Sequence, residues 1–260
     1  MRACVVFAMI FALLPNLVVV VASLTASNSF AFPPRGLSFK WYTVLLTDPD
    51  FIDAMVTSVL LAALTSVVAV SMSLLGAFSV VRRRVPGSSM IEAFVLSPLA
   101  IPHVIIGIGV LQLYDHFSMR TDLITLTLGH LVITVPFALR MLIASMHGLD
   151  RRVEYAAQSL GARPSTVVLG VVLPQMKFGI LAALVSVFIL SFDDLALTIF
   201  LVQPGYSTVP ILLFNRAENG ASPSILAASA FLLVVTWLAV FLIDRIMSID
   251  KFVLAKRRVA

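Results

Sequence analysis

Charged residues are scarce in this sequence, and cysteine is almost absent. Charged side chains make up 12% of the 260 residues and hydrophobic side chains 60%, whereas soluble domains average about 25% charged and about 45–50% apolar residues. So little charge cannot provide the solvated surface that a soluble core of this size needs, and the composition therefore predicts a protein embedded in a lipid bilayer. The single cysteine, Cys4, excludes a disulfide framework and a thiolate metal cluster.

Motifs for nucleotide hydrolysis and for hydrolytic or metal catalysis are also missing. The sequence has no Gly-x-x-x-x-Gly-Lys-Ser/Thr phosphate loop, no paired-histidine metal motif and no Gly-x-Ser-x-Gly elbow. Its histidines are scattered along the chain. We therefore predict no catalytic residue and no metal site, and the hypothesis of a membrane-embedded enzyme has little support.

Six apolar segments are long enough to cross a bilayer, which takes about 20 mostly apolar residues of helix. They cover approximately residues 5–26, 54–81, 90–114, 123–146, 173–200 and 224–246. Several contain proline, which membrane helices tolerate because their neighbours can satisfy the freed carbonyl groups. The sequence predicts one all-α transmembrane domain over residues 1–260 with six spans. The first segment has an alternative interpretation as a signal peptide.

Lysine and arginine are distributed unequally between the two sets of connections that join these segments. Of the 18 basic residues, 14 lie in one set and four in the other. The four are Arg35, Lys40, Arg120 and Arg216. Because cytoplasmic connections carry the excess of basic residues, the sequence predicts that both termini are cytoplasmic (N-in, C-in). The same bias accounts for the net charge of +5 without a nucleic-acid partner.

The connection between the fourth and fifth segments, residues 148–174, has the pattern of a helix, a glycine turn and a second helix. Asp150 is placed to cap the first helix and Gly161 to end it. One apolar face at the helical spacing i, i+3, i+4 and i+7 is formed by Val153, Ala156, Ala157 and Leu160. This pattern favours a docking element, and a helix lying on the lipid surface is the alternative.

This connection resembles the EAA loop of ABC-importer permeases, whose pattern is Glu-Ala-Ala, three residues, Gly, nine residues and Ile-x-Leu-Pro. The chain has Ala156-Ala157, Gly161 and, after nine residues, Val171-Val172-Leu173-Pro174. At the glutamate position it has Tyr155, with Glu154 one residue earlier. Other stretches resemble the spermidine/putrescine (PotC-type) permeases of this family, namely Pro15-Asn16, Gly129-His130 and residues 97–102, 135–137 and 191–194.

The resemblance implies a type I ABC-importer permease fold in the bacterial inner membrane, with a cytoplasmic coupling helix in the loop 148–174. Glu154 would pair with a basic group of the ATPase, and Pro174 would start the fifth span. The residues implied to couple the chain to its ATPase are Glu154, Ala156, Ala157, Gly161 and Pro174.

The resemblance also implies partners and a substrate. The partners would be a second, homologous permease subunit, a dimer of ATP-binding subunits that holds ATP and Mg, and a periplasmic solute-binding protein. Polyamine is the implied substrate, and an amino-acid derivative or a phosphonate is the alternative. An ion-driven secondary transporter would instead show inverted repeats and a buried charged relay, and the sequence shows neither clearly.

Ionisable residues inside the predicted spans are costly and are therefore candidate functional residues. Asp193 and Asp194, in the fifth span, have two interpretations. They attract a cationic solute or form part of the gate, or Asp193 caps a broken or restarting helix. Glu92 is expected to pair with the arginines that precede it. His103 is expected to bond a carbonyl group freed by a proline, and His130 to pack in the interior.

Overall fold

The computed structural model describes residues 2–29, 32–82, 87–202, 206–220 and 222–257. Within these ranges the regular structure is helical, apart from one antiparallel bridge between Thr25 and Leu37, which confirms the predicted all-α class. The α-helices are α1 (Arg2–Ser23), α2 (Lys40–Leu46), α3 (Pro49–Arg82), α4 (Ser88–Leu96), α5 (His103–His116), α6 (Leu123–His147), α7 (Arg151–Ser159), α8 (Pro164–Val167), α9 (Leu173–Phe192), α10 (Thr198–Leu201), α11 (Val209–Glu218) and α12 (Pro223–Arg257).

Four helices in the described part of the chain are long and apolar enough to cross a membrane, or five crossings if one strongly bent pair counts as a span. The four are Pro49–Arg82, Leu123–His147, Pro164–Phe192 and Pro223–Phe241. A further apolar helix, Phe11–Ser23, is shorter. The count of six spans therefore stays a prediction.

The segment predicted as a span over residues 90–114 is sharply bent. Helix α4 continues into a short 3-10 turn, Ser97–Ala100, and α5 then leaves at 105° to this first part. Pro102 follows the turn, and the residue before it, Ile101, is extended with φ −100° and ψ 131°. A proline disfavours helical geometry in the residue before it, and this accounts for the break at Ile101.

The segment predicted as a span over residues 173–200 has different ends in the structure. Its helix begins at Pro164, where the fixed φ of proline suits the first helical turn. The helix ends at Phe192, and the chain is helical again only from Thr198. The helix therefore extends beyond the predicted start of the span and is interrupted before its predicted end, and the span bounds 173–200 stay a prediction.

Pro174 lies within this continuous helix and not at its start. A proline inside an α-helix removes one hydrogen bond and clashes with the carbonyl four residues earlier. Here Val168–Val172, which end two residues before the proline, form a π-helical turn, and the Leu173 N–H donates to the Val168 carbonyl five residues back. The wider turn accommodates Pro174, as expected for a short π segment in an α-helix.

The chain divides into two compact units, of which the first comprises Met1–Val59 and Gln203–Ala239. Its buried core is formed by Leu45, Phe51, Ala54, Val209 and Ala228. The Val209 N–H donates to the Ser58 hydroxyl over 2.9 Å. Arg216 pairs with Asp48 at 2.6 Å, so that two segments predicted to lie on the outer side are in contact.

The second unit comprises Leu60–Val202 and Val240–Ala260. Its largest core cluster lies between α3, α6 and α9 and includes Ala69, Ala77, Leu142, Met146, Met176 and Ala183. On α9, a Cβ atom at Gly179 would lie only 2.7 Å from the Cβ of Ser145 on α6. Small residues allow membrane helices to approach closely, and Gly179 permits this contact.

Candidate functional site

The loop between α6 and α9 folds as the sequence predicts. Asp150 caps α7, and its carboxylate accepts a hydrogen bond from the Arg152 N–H over 2.9 Å. At the other end, Gly161 has φ +86°, the left-handed conformation that glycine adopts most readily. The Gly161 N–H donates to the Gln158 carbonyl and the Ala162 N–H to the Ala157 carbonyl. These two bonds form a Schellman motif, which satisfies carbonyl groups at the end of the helix.

The apolar face predicted for α7 points mostly away from the rest of the chain. Leu160 is 89% exposed and Val153 46%, and Ala156 is also exposed. Ala157 is half-buried and packs at the edge of the core of the second unit. Tyr155, at the position of the glutamate in the EAA pattern, is 59% exposed. Exposed apolar residues clustered on one helix indicate a protein–protein or membrane contact surface.

Glu154 points in the opposite direction, into the chain. It is buried, and its carboxylate forms a two-point ion pair with the Arg82 guanidinium at the end of α3. The Arg82 Nε lies 3.2 Å from one carboxylate oxygen, and a terminal nitrogen contacts the other. This geometry differs from the sequence-based expectation that Glu154 pairs with a basic group of the ATPase.

Arg82 was one of the three arginines expected to pair with Glu92, but it is engaged by Glu154. Arg82 pairs with Glu154 and not with Glu92. The other two candidates for Glu92, Arg83 and Arg84, lie outside the described residues. Sequence proximity is thus a poor guide here, because folding brings α7 to the end of α3.

Asp194 lies at the break between α9 and α10, and its carboxylate is used within the chain. One oxygen accepts hydrogen bonds from the Leu197 and Thr198 N–H groups, each at 3.0 Å, and from the Thr198 hydroxyl at 2.9 Å. Asp194 therefore caps the restarted helix, whereas the sequence-based interpretation assigned this cap to Asp193. Asp193 ends α9 and is exposed in this chain.

Two histidines join this break to neighbouring helices. The Nδ1 atom of His103, the first residue of α5, lies 3.2 Å from the second carboxylate oxygen of Asp194. The buried ring of His130 on α6 lies 2.8 Å from the Ser191 hydroxyl and 3.0 Å from the Thr198 hydroxyl. Asp194 and the two histidines thus belong to one polar network in the interior of the second unit.

Sequence reasoning missed most of this network. It placed His103 against a freed carbonyl group, but the structure places it against Asp194. It assigned His130 to interior packing without naming its hydroxyl partners. A local signal was available for the cap, because an aspartate is a preferred N-cap residue whose carboxylate accepts the N–H three residues on, and Leu197 stands three residues after Asp194. Within the described residues, no group of three or more His, Cys, Asp or Glu side chains could hold a metal ion.

Comparison with known proteins gives consistent results. Residues 69–249 match the family described as binding-protein-dependent transport system inner membrane component. The chain is 25% identical to the spermidine/putrescine transport system permease protein PotC of Escherichia coli K12 over 92% of its length and 89% of that protein. It is 29% identical to the putrescine transport system permease protein PotI of the same strain, over 89% of its length and 86% of that protein.

Solved structures show the same architecture. A chain of a bacterial ABC transporter involved in the import of the acidic polysaccharide alginate superposes with a TM-score of 0.71 and 16% identity, over 96% of this chain and 92% of that one. A chain of the MetNI methionine ABC transporter superposes with a TM-score of 0.60 and 16% identity. The superposition covers 78% of this chain and 99% of that one. At this identity the similarity concerns the fold alone.

Proposed function

The chain belongs to the family of binding-protein-dependent transport system inner membrane components, and we propose that it forms half of the membrane pathway of an ATP-driven polyamine importer. It is a multi-pass protein of the inner membrane. The observation that carries the polyamine proposal is the similarity to the two polyamine permease proteins, which extends over 92% and 89% of the chain.

The proposed topology has six spans with both termini in the cytoplasm. Four long apolar helices, the bent pair α4–α5 and the apolar helix α1 would supply the six spans. Two ion pairs support the assignment of sides. Arg82 and Glu154 join two segments predicted to be cytoplasmic, and Arg216 and Asp48 join two segments predicted to be outside. Contacts of this kind require the paired segments to lie on the same side of the membrane.

The proposed complex contains a second, homologous permease subunit, two ATP-binding subunits and a periplasmic solute-binding protein. This chain would not itself hydrolyse ATP in the P-loop manner, since its sequence has no phosphate loop. ATP and Mg would be bound by the ATP-binding subunits. Closure of these subunits around ATP would move the permease helices as rigid bodies and open the pathway alternately to each side.

The proposed contact with the ATP-binding subunits is the exposed face of α7 and the turn that follows. Ala156 keeps this face flat, and Leu160 supplies apolar area. Ala157 supports the helix from behind by packing on the core of the second unit. Gly161 provides the turn into α8, and Pro174 sets the π-helical segment through which α8 continues into the membrane.

The proposed pathway residues are Asp193 and Asp194, at the break between α9 and α10. Irregular backbone at membrane depth occurs where it lines a cavity or is buried in protein. The exposed carboxylate of Asp193 is suited to attract a cationic solute, and Asp194 would hold the break in shape through its cap.

The proposal is tested by reconstituting the complex from its native host. The tagged chain is purified in mild detergent, co-purifying proteins and bound small molecules are identified by mass spectrometry, and uptake of labelled putrescine and spermidine is measured in proteoliposomes with and without ATP. We expect an ATP-binding protein, a second permease and ATP-dependent polyamine uptake. The same partners with transport of an amino-acid derivative or a phosphonate would refute the polyamine assignment, and uptake by this chain alone would refute the complex.

A further inference from the structure

The coupling helix α7 is attached to the end of α3 at two points. The Arg82 guanidinium of α3 holds the Glu154 carboxylate of α7, and the Arg151 guanidinium of α7 donates to the Val81 carbonyl of α3. Each helix therefore supplies an arginine to the other. A single contact would leave α7 able to rotate about it, whereas two contacts fix its orientation relative to α3.

Both contacts are of a kind that resists breaking. The side chains of Arg82 and Glu154 are only 7% and 11% exposed, and separating a buried ion pair leaves an uncompensated buried charge. The Val81 carbonyl is among the last four of α3, which have no partner within the helix. Arg151 satisfies this carbonyl and places positive charge at the negative end of the helix dipole.

Apart from these two links, α7 packs on the segment that follows it, namely α8 and the π-helical turn. Its outward side, with Val153, Tyr155 and Leu160, is exposed, and only Ala157 packs at the edge of the core. Glu154 is the one acidic residue of α7, and it faces inward, so the outward surface formed by the residues of α7 carries no carboxylate. The exposed Asp150 lies at the N-terminal end of the helix, where its carboxylate accepts the Arg152 N–H. A basic pocket on an ATP-binding subunit would find no acidic partner on this surface.

We propose that Glu154 is a positioning residue, whose ion pair with Arg82 makes α7 and α3 move as one rigid body. The inference rests on the proposed function, in which α7 docks on an ATP-binding subunit. Movement of that subunit would then reach the membrane directly through α3, a continuous helix of 34 residues. The partner surface that receives α7 would be apolar, since α7 offers it Val153, Tyr155 and Leu160 in place of a carboxylate.

The test compares Glu154→Gln, Arg82→Gln and the charge-swapped double variant Glu154→Arg/Arg82→Glu in the complete reconstituted complex. Putrescine uptake, ATP hydrolysis and the amount of co-purified ATP-binding subunit are measured on the same preparations. We expect both single variants to retain the ATP-binding subunit and to hydrolyse ATP, while uptake per ATP falls by about tenfold, a typical size for coupling between two sites. The double variant should recover most of the lost uptake.

Glu92→Gln is the matched control, since it removes the same charge from a residue that forms no ion pair with the described residues. It should keep the wild-type ratio of uptake to hydrolysis. If Glu154→Gln releases the ATP-binding subunit while Arg82→Gln retains it, Glu154 contacts the ATPase and the proposal is wrong. Wild-type ratios in both single variants, or a double variant that hydrolyses ATP without recovering uptake, also overturn it.

A distance measurement tests the same link with the ion pair intact. Spin labels are attached at Leu75→Cys on α3 and Gln158→Cys on α7 in a Cys4→Ser background; both positions are exposed. In a labelled complex that retains ATP-driven uptake, the distance between the labels should be the same without nucleotide and with trapped ATP. A shift between the two states would exclude a rigid connection. A wild-type complex without an ATP-binding subunit would instead contradict the proposed function itself.

Discussion

At the scale of single residues, Gly161 determines the turn that follows α7. Its φ of +86° lies in the left-handed region, which costs other residues about 1–2 kcal/mol. A Cβ atom at this position would meet nothing within 4 Å, so the cost of a substitution comes from the backbone and not from a clash.

We therefore expect Gly161→Ala to lower uptake and to destabilise the turn by about 1 kcal/mol, and Gly161→Val to have a larger effect. The measurements are putrescine uptake by the complex and hydrogen exchange of the amides of Gly161 and Ala162. Gly109→Ala is the control, because Gly109 lies within α5, also has open space around it and has no positive φ. Equal effects of Gly161→Ala and Gly109→Ala would contradict the conformational argument.

Asp194 and Asp193 are neighbours with different environments, and their substitution should separate stability from transport. Asp194→Ala leaves the buried Leu197 and Thr198 N–H groups without their acceptor, and each such group costs about 1–3 kcal/mol. We expect a clearly lower midpoint of thermal unfolding in detergent for Asp194→Ala. Asp193→Ala should leave the midpoint nearly unchanged and lower polyamine uptake. A stable Asp194→Ala variant would show that its cap does not maintain the break.

At the scale of helices, the close contact between α6 and α9 depends on Gly179, because glycine has no side chain. Gly179→Ala would bring a Cβ atom to 2.7 Å from that of Ser145, well inside van der Waals contact. Overpacking of this kind typically costs about 1–3 kcal/mol. We expect Gly179→Ala to lower the thermal midpoint, and the double variant Gly179→Ala/Ser145→Gly to restore most of it. Failure of Ser145→Gly to compensate would place the strain elsewhere.

The two helix breaks have different local features, a proline at one and a capping carboxylate at the other. Pro102 has no N–H to donate and forces Ile101 into an extended conformation. At the other break, the Asp194 side chain accepts hydrogen bonds from the first N–H groups of the restarted helix, which have no acceptor within that helix. His103 lies beside both breaks and contacts Asp194, so the polar network joins the two irregular segments of the second unit.

At the scale of the whole molecule, the distribution of basic residues predicts which connections are cytoplasmic. Alkaline phosphatase is active only after export, so fusions at single positions report the side of each connection. We expect high activity for a fusion after Asn219, which follows α11, and low activity for a fusion after Gly148, which precedes α7. The opposite pattern would invert the topology and remove α7 from contact with a cytoplasmic ATPase.

The sequence by itself determined the features that depend on composition or on neighbouring residues. The apolar segments predicted membrane helices, and the described structure has four that are long enough and a bent fifth. The cap by Asp150 and the turn at Gly161 were predicted correctly, because each involves groups within a few residues of each other. The EAA spacing likewise identified the family before any contact was known.

Only the tertiary structure decided which charged groups meet. Arg82 and Glu154 are 72 residues apart in the chain, and His103 and Asp194 are 91 apart. No local pattern distinguishes Glu92 from Glu154 as the partner of Arg82. The choice follows from how α3, α6 and α9 pack around small residues, which brings α7 to the end of α3. Because an ion pair forms wherever packing places the charges, its partners depend on the complete fold.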